Sequence, residues 1–283
     1  MRSNSFFKPN LLSKSMNKIV LINKIRKAIK NYPSAILDYR RYFKNLKSGK
    51  STASKGPMFY KLRNGLKFIT RKGTGDIFAL CEIAATNVYH LEKIKPTDIV
   101  IDIGAHIGVF SVMASKRAKK VIAIEPVSNN FELLKKNIEI NRIGNIIPIK
   151  KAISSKTGKT KIYTGDNTVA HSLISKDKKN SSEEIETLSL PDLIKTYKLK
   201  KIDFLKMDCE GAEHEILNKM PLSVLKKIKR IHMESHELDS KRTRESIRIF
   251  LEKNGFSVSS KWGMFYAFRN NLSQIKRFKT THL

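Results

Sequence analysis

The sequence predicts an α/β fold built on a mostly parallel sheet of seven strands, with helices on both faces and the last strand antiparallel. The apolar run Ile99–Ile103 leads into a glycine-rich turn at 104–108, as in the first βα unit of a nucleotide-binding sheet. From residue 97 onward, strand patterns alternate with amphipathic helix patterns, which is typical of a parallel sheet. The runs at 256–260 and 265–269 are joined by a link too short for a parallel crossover, so we expect that pair to be antiparallel.

The first 57 residues lie ahead of the sheet pattern. Residues 1–16 are polar, basic and without hydrophobic periodicity, which predicts disorder. Residues 17–31 place apolar side chains at helical spacing among basic ones, and a second short helix is expected at 35–46. The first of these helices can be interpreted as packed on the domain, which we favour, or as an interfacial helix on anionic lipid. Residues 47–56 are typical of a linker.

The remaining elements follow from periodicity and turn residues. Residues 58–71 predict a hairpin that turns at Asn64 and Gly65, and residues 76–90 predict a helix. Further strands are expected at 121–124, 146–150, 202–208 and 230–234. Further helices are expected from 109, from Ser128 as a cap residue, at 189–198, at 212–220 and ahead of Gly255. Residues 155–182 are polar and irregular, which predicts a loop or an additional hairpin over the site.

The turn after the first sheet strand is the predicted cofactor site. Its spacing is D-x-G-x-x-x-G, with His106 where a dinucleotide site has its middle glycine. The strand at 121–124 ends in an acid that can accept both ribose hydroxyls of an adenosine. A glycine turn without pyrophosphate features, combined with such an acid, favours S-adenosylmethionine over NAD, and a purely structural turn becomes the weaker interpretation. The expected cofactor-binding residues here are Asp102, Gly104, Ala105, His106, Gly108, Glu125 and Pro126.

A second set of chemically active residues follows the fourth and fifth strands. The carboxyl ends of parallel strands share one edge of a sheet, so we expect this set beside the glycine turn. Methyl transfer to a hydroxyl needs in-line alignment and a group that takes up the proton. The same groups could instead hold a divalent ion that acidifies the hydroxyl, and no metal ligand is assigned. The expected catalytic residues are Asp208, Glu210, Glu234 and His236, whereas Glu213 and Glu237 are expected on a solvated face.

The charge of the chain is extreme, with a formal net charge of +31 at pH 7. Residues 1–50 hold 13 Lys or Arg and a single acid, Asp38, which gives +12 there and leaves +19 for the rest. Such a field favours anionic partners, namely nucleic acid, anionic lipid or a phosphorylated substrate. A general preference for lysine explains the charge equally well, so charge is a poor guide to the substrate.

Cysteine usage and hydropathy bear on the compartment. Cys81 and Cys209 are far apart and form no metal or redox motif, so we expect reduced thiols in the cytosol. The sequence contains no apolar run of transmembrane length and no clean signal peptide. We therefore expect a cytoplasmic protein that can associate peripherally with a membrane.

Several segments together resemble the FkbM family of S-adenosylmethionine-dependent methyltransferases. The most specific is D-x-E-G-A-E at 208–213, because the glycine turn alone is shared by many methyltransferases. The segments that carry the resemblance are 100–108, 124–126, 202–213, 62–65, Arg71, 73–76, Glu82 and Tyr89. The similarity runs from about residue 58 to 270, which divides the chain into a basic extension (1–57), a methyltransferase domain (58–270) and a basic tail (271–283).

The resemblance implies the seven-stranded, Rossmann-like class I methyltransferase fold and O-methylation, often of sugar hydroxyls or natural-product alcohols. It also implies that Gly104, His106, Gly108 and Glu125 hold the cofactor and that Ala152 and Ile153 edge the adenine. Cys209 stands where the family usually has a small aliphatic residue.

The leading hypothesis is therefore an O-methyltransferase acting on a glycan, a lipid-linked saccharide or a related metabolite. An RNA or nucleotide methyltransferase is the main alternative, suggested by the charge, although the fourth strand is not followed by an Asn-Pro-Pro-Tyr type of sequence. A non-catalytic scaffold with a relic cofactor site is a third hypothesis, and the acids after the second and fourth strands speak against it. The loop spacing disfavours an NAD(P)-dependent oxidoreductase.

Overall fold

The computed structural model describes residues 18–47, 56–164, 181–209, 211–261 and 263–270. The disorder expected at 1–16, most of the linker at 47–56, the basic tail and Glu210 lie outside the described residues. Among the residues that are described, we find no helix that is long and apolar enough to cross a membrane. Cys81 and Cys209 are free thiols, as expected.

The structure has strands and helices in mixed order along the chain. The strands are β1 (Pro57–Lys61), β2 (Lys67–Arg71), β3 (Ile99–Ile103), β4 (Lys120–Ile124), β5 (Ile146–Ile149), β6 (Ala152–Ser154), β7 (Gly158–Thr164), β8 (Ser181–Ser189), β9 (Phe204–Met207), β10 (Arg230–Glu234), β11 (Phe256–Lys261) and β12 (Met264–Arg269). The α-helices are α1 (Lys18–Ala28), α2 (Tyr32–Lys47), α3 (Asp76–Cys81), α4 (Val109–Ser115), α5 (Ser128–Ile140), α6 (Leu190–Thr196), α7 (Glu213–Asn218), α8 (Leu222–Leu225) and α9 (Arg244–Lys253).

Seven strands form the central sheet in the order β11-β12-β10-β9-β3-β4-β5. The five strands from β10 to β5 are parallel to their neighbours, and β12 runs antiparallel to both β10 and β11. The predicted α/β architecture, including its reversed last strand, is confirmed. The order reverses direction between β3 and β9, so the carboxyl ends of these two strands flank the crevice in which ligands bind to open sheets of this kind.

The sheet separates two hydrophobic cores because successive strand residues point to opposite faces. Val100 of β3 and Phe204 of β9 are paired in register and both belong to the first core. The next pair, Ile101 and Leu205, belongs to the second. All four side chains are fully buried, which explains why apolar residues on these strands stand next to each other instead of alternating with exposed polar ones.

The first two helices are part of the first core. Ile25 and Ile29, from the end of α1 and just beyond it, and Tyr42 of α2 have at most 1% of their surface exposed and pack in the same cluster as the sheet. Ile29 also forms a backbone bridge with Leu62, next to the hairpin of β1 and β2. The helix expected within residues 17–31 is present at Lys18–Ala28 and packs on the domain, although Ile19 near its beginning remains 68% exposed.

Of three predictions about local structure, the structure confirms one and corrects two. The hairpin at 58–71 is confirmed. The helix predicted at 76–90 ends earlier, because α3 continues only through a π-helical turn at Glu82–Thr86, and Asn87 then adopts a left-handed φ of 53°. Ser128 does not cap α5: it is already the first helical residue, and its hydroxyl donates to Glu183 of β8.

The polar stretch after β5 forms the additional hairpin that was one of the two expectations for it. β7 and β8 are antiparallel, and β6 adds to β8 in parallel, which gives a separate sheet of three strands. Residues 165–180, between β7 and β8, lie outside the described part of the chain.

Candidate active site

The glycine turn follows β3 and is tied to β4. The backbone amides of Gly104 and Ala105 both donate to the carbonyl oxygen of Ile124, at 3.0 and 2.9 Å. Gly104 has a φ of 75°, and a Cβ placed on it would lie 1.8 Å from the carbonyl oxygen of Asp208. Gly108 has a φ of 84°, and its Cβ would lie 2.4 Å from Leu134 of α5. The backbone conformation therefore favours glycine at both positions, and at Gly104 the close backbone of Asp208 also leaves no space for a side chain.

The close approach of Gly104 to Asp208 joins the two halves of the site. Because no side chain intervenes, the turn after β3 packs directly against the backbone at the end of β9. The expectation that Asp208 lies beside the glycine turn is confirmed. Gly104 and His106 keep part of their surface exposed, whereas Ala105 and Gly108 are buried, so the first pair forms the open side of the turn.

Glu125 holds the turn from the end of β4. Its carboxylate accepts from the backbone amide of His106 at 2.8 Å, from that of Val127 at 3.0 Å and from the side-chain amide of Asn130 at 3.3 Å. Only 4% of Glu125 is exposed, and this burial raises the pKa of its carboxyl above the ordinary value. The acid expected to bind the ribose therefore also anchors the glycine turn.

A closed ring of polar side chains braces His106. Its Nε2 lies 3.2 Å from Oδ1 of Asp76, and Arg71 donates to the same carboxylate at 2.8 and 2.9 Å. Arg71 also donates to the side-chain oxygen of Asn130 at 2.7 Å, and the side-chain amide of Asn130 donates to Glu125. The ring closes because Glu125 accepts from the backbone amide of His106. Burial alone would raise the pKa of Asp76, but the contacts with His106 and Arg71 outweigh it and hold that pKa well below its usual range. The ring connects β2 and α3 with the turn and with α5.

Lys206 is a buried cation inside β9, with its side chain only 4% exposed. Its ammonium lies 3.1 Å from Oδ1 of Asp102, 2.7 Å from the carbonyl oxygen of Gly104 and 3.8 Å from Asp208. Burial would lower the pKa of Lys206, but the charges of Asp102 and Asp208 outweigh it and raise that pKa.

Asp102, expected among the cofactor-binding residues, has no exposed surface. Its second oxygen accepts from the hydroxyl of Ser111 at 2.6 Å, so both oxygens face protein groups. The structure thus places Asp102 beneath the turn, where it neutralises Lys206.

Three of the four expected catalytic residues meet at the carboxyl ends of β9 and β10. Asp208, Glu234 and His236 each offer an oxygen or nitrogen atom, and these atoms all lie within 4.8 Å of one another. The hydroxyl of Tyr89 donates to Asp208 at 2.8 Å, and burial together with Asp208 raises the pKa of that tyrosine well above its ordinary value. We call Asp208, Glu234 and His236 the rim cluster.

Glu213 stands behind the rim cluster, and its expected place on a solvated face is wrong. It is fully buried, and its carboxylate accepts from the backbone amides of Cys209 and Gly211 at 2.9 and 2.8 Å. The same carboxylate lies 3.3 Å from Nδ1 of His236. Burial would raise the pKa of Glu213, but His236 and the backbone amide of Cys209 lower that pKa below its ordinary value. The prediction failed because Glu213 bonds the amides just ahead of α7 instead of facing water. Glu237 is exposed, as expected.

Three further residues, Pro126, Ala152 and Ile153, were expected at the cofactor site. Pro126 is partly buried between β4 and α5. Ala152 and Ile153 are 6% and 2% exposed on β6, where they pair with Thr187 and Leu188 of β8.

Lys206 was not named as a site residue from the sequence. A lysine within an apolar strand pattern could have indicated it, because a buried ammonium needs a partner. No spacing in the sequence indicates that Arg71 and Asp76 meet at His106, or that Asn130 links Arg71 to Glu125.

Comparison with known proteins finds similarity to methyltransferases. A family model described as "Methyltransferase FkbM domain" matches residues 102–272, which is more than half of the chain. The chain is 23% identical to the methyltransferase sdnD of Sordaria araneosa over 215 residues, or 64% of this chain and 82% of that protein. It is 30% identical to the hexuronic acid methyltransferase AglP of Haloferax volcanii over 130 residues, or 46% of this chain and 53% of that protein. A shorter stretch of 60 residues, 21% of this chain and 18% of the other, is 45% identical to the tRNA (guanine(37)-N(1))-methyltransferase Trm5b of Methanocaldococcus jannaschii.

Proposed function

This chain belongs to the methyltransferase FkbM domain family, and from that premise we propose that it transfers a methyl group from S-adenosylmethionine to a hydroxyl of a glycan, a lipid-linked saccharide or a related metabolite. The observation that carries the proposal is the contact between Gly104 and Asp208. Through this contact, the turn proposed to bind the adenosyl cofactor lies directly against Asp208 of the rim cluster, which we propose faces the methyl acceptor.

The residues of the turn fit such a cofactor. The open side at Gly104 and His106 offers backbone to a ligand at the carboxyl end of β3, where open sheets bind nucleotides. Glu125 has carboxylate lone pairs beyond the three donors it already serves. We assign Gly104, His106 and Glu125 to direct binding, and Asp102 to support of the turn through Lys206.

When bound, the cofactor supplies a methyl group on a sulfonium, and the electron pair of the broken carbon–sulfur bond returns to sulfur as the acceptor oxygen takes the methyl. The chain must then align the acceptor hydroxyl and accommodate the proton that leaves it. In the rim cluster, two carboxylates and an imidazole lie close together at the carboxyl ends of β9 and β10, beside the turn. Tyr89 and Lys206 fix Asp208 in that position.

The acceptor class rests on weaker support. The relative named for hexuronic acid methylation favours a sugar hydroxyl, at 30% identity over about half of that protein. Lipid linkage would suit the basic first helices, whose exposed residues include Lys18 and Ile19. The two free thiols support a reducing, cytosolic location. Any contact with a membrane would then be peripheral.

A calorimetric titration of S-adenosylmethionine, and separately of NAD, tests the cofactor assignment. We expect binding of the former alone, and then methylation of hexuronic-acid-containing glycans in an acceptor screen with radiolabelled methyl donor. Binding of neither would favour the scaffold hypothesis.

An RNA substrate is the second candidate, and the short match to the tRNA methyltransferase favours it together with the net charge of +31. Transfer of the label to total tRNA, with binding that falls steeply between low and physiological salt, would replace the glycan proposal.

A further inference from the structure

We propose that the rim cluster binds a divalent metal ion of the Mg²⁺ and Mn²⁺ class. The binding itself is independent of methyl transfer, and only the chemical role given below rests on the proposed function. The two carboxylates are the ligands that such ions prefer, the imidazole adds one nitrogen ligand, and water and substrate oxygens fill the remaining positions.

The geometry of the rim cluster supports this assignment. One donor atom from each of Asp208, Glu234 and His236 lies within 4.8 Å of the other two, a separation that a single ion can bridge with small side-chain rotations. Glu234 ends β10, Asp208 directly follows β9, and His236 lies two residues beyond β10, so the two adjacent parallel strands bring the donors to one edge of the sheet. All three side chains are partly exposed, which leaves the remaining coordination positions accessible from the crevice.

The orientation of His236 is the second observation. Its Nδ1 lies 3.3 Å from the fully buried carboxylate of Glu213, and its Nε2 is the ring nitrogen near Glu234, at 3.9 Å. A carboxylate beside one ring nitrogen favours a proton on that nitrogen, which directs the lone pair of the other nitrogen toward a ligand. This is the carboxylate–histidine arrangement that commonly stands behind a metal ion. Glu213 is therefore a positioning residue for His236.

Asp208 is oriented in a similar way. The hydroxyl of Tyr89 donates to its Oδ2 at 2.8 Å, and the ammonium of Lys206 lies 3.8 Å from the same oxygen. Lys206 is closer to Asp102, at 3.1 Å, so its charge is shared with a carboxylate outside the cluster. Both of these contacts of Asp208 involve Oδ2.

The position of the cluster gives the ion a role in the proposed reaction. A cation at the carboxyl ends of β9 and β10, beside Gly104, would bind the acceptor hydroxyl and lower the pKa of that hydroxyl. The proton would pass to water, the oxygen would form its bond to the methyl carbon, and the carbon–sulfur pair would return to sulfur. The reaction would then need no side chain as proton acceptor.

Titration with MnCl₂, followed by electron paramagnetic resonance of free Mn²⁺, tests the site without cofactor or acceptor. We expect one Mn²⁺ per chain and displacement by Mg²⁺. Asp208→Asn and Glu234→Gln should each weaken Mn²⁺ binding at least about tenfold, and Glu213→Gln about 10- to 100-fold, as expected for a residue that orients a ligand.

His90 and Glu92 provide a matched control, because they form an exposed imidazole–carboxylate pair at 3.1 Å outside the cluster. Glu92→Gln should leave Mn²⁺ binding unchanged. Thermal unfolding of each variant, followed by circular dichroism, shows whether a loss of binding is a loss of fold.

The outcomes separate this proposal from the proposed function. Absence of Mn²⁺ binding at millimolar concentration, or equal binding by wild type, Asp208→Asn and Glu234→Gln, overturns the metal site even if S-adenosylmethionine binds normally. Mn²⁺ binding that depends on the cluster confirms the site even if S-adenosylmethionine fails to bind, in which case the proposed function is the part that fails.

Discussion

The ammonium of Lys206 donates to the carbonyl oxygen of Gly104 across 2.7 Å, inside the sheet and with almost no exposure to water. This bond joins β9 to the glycine turn that follows β3. The same ammonium neutralises Asp102, so one buried cation supports the proposed cofactor side of the site and, through Asp208, the rim cluster.

Replacement of Lys206 by Met should destabilise the protein by roughly 3–5 kcal/mol, because the buried carboxylate of Asp102 loses its partner. Urea denaturation measures this. The double variant Lys206→Met and Asp102→Asn should recover much of the loss. Lys201→Met is the matched control, since Lys201 is a half-exposed partner of Asp203, which keeps Lys229 at 2.8 Å. Equal destabilisation by the two single Lys→Met changes would contradict the buried pairing.

Gly104→Ala should abolish cofactor binding. The new Cβ would lie 1.8 Å from the carbonyl oxygen of Asp208 at a φ that side chains rarely adopt, so the turn or the end of β9 must move. We expect at least a 100-fold loss in affinity for S-adenosylmethionine, estimated at about 3 kcal/mol or more, measured by calorimetry. Gly144→Ala provides the comparison, because nothing lies within 4 Å of its Cβ. Wild-type affinity in Gly104→Ala would show that the turn is not the cofactor site.

Glu125→Ala should weaken S-adenosylmethionine binding about 10- to 100-fold, the scale of one or two hydrogen bonds to a charged group. Part of this loss would come from the backbone amide of His106, which loses its acceptor at 2.8 Å. Glu125→Gln keeps one acceptor oxygen and should have the smaller effect in the same titration. If both variants bind the cofactor like wild type, Glu125 only anchors the turn.

Acid should reduce the free energy of unfolding that the ring around His106 contributes. The folded-state pKa of Asp76 is lowered from its ordinary 3.8, so the stability it contributes is present above that value and is lost as the pH falls below it. Asp76→Asn should therefore lower the free energy of unfolding at pH 7, and the difference from wild type should narrow below about pH 4. Urea titrations of both proteins at pH 7, 4 and 3 measure the difference. A difference that stays constant with pH would exclude the ionised carboxylate as its source.

The first two helices should be required for folding. Tyr42 of α2 has no exposed surface, so Tyr42→Ala should cost about 3–5 kcal/mol, as large-to-small changes do in a core. Leu37, on the same helix, is 61% exposed, and Leu37→Ala should change stability by less than about 0.5 kcal/mol. Thermal unfolding distinguishes them, and a negligible effect of Tyr42→Ala would show that α2 is dispensable.

The sheet could be predicted from the sequence because its strands are short apolar runs with glycine and acid at their ends, as at Ile99–Ile103 and Gly104. The convergence of Asp208, Glu234 and His236 followed from the shared edge of parallel strands. The ring around His106 could not be predicted, because Arg71 and Asp76 come from elements outside the sheet and local spacing carries no information on such contacts. Glu213 was misplaced because a carboxylate in a first helical turn can cap amides as well as face water.

The ring that braces His106 also bears on how this enzyme could be shortened or recombined. Residues 102–272 are the part that a family model recognises, yet Arg71, Asp76 and Tyr89 lie ahead of them and hold His106 and Asp208 in place. The recognisable region is therefore not a transplantable module. A chimaera that joins it to another protein must also carry the hairpin, α3 and Tyr89, or His106 and Asp208 will lose the side chains that orient them.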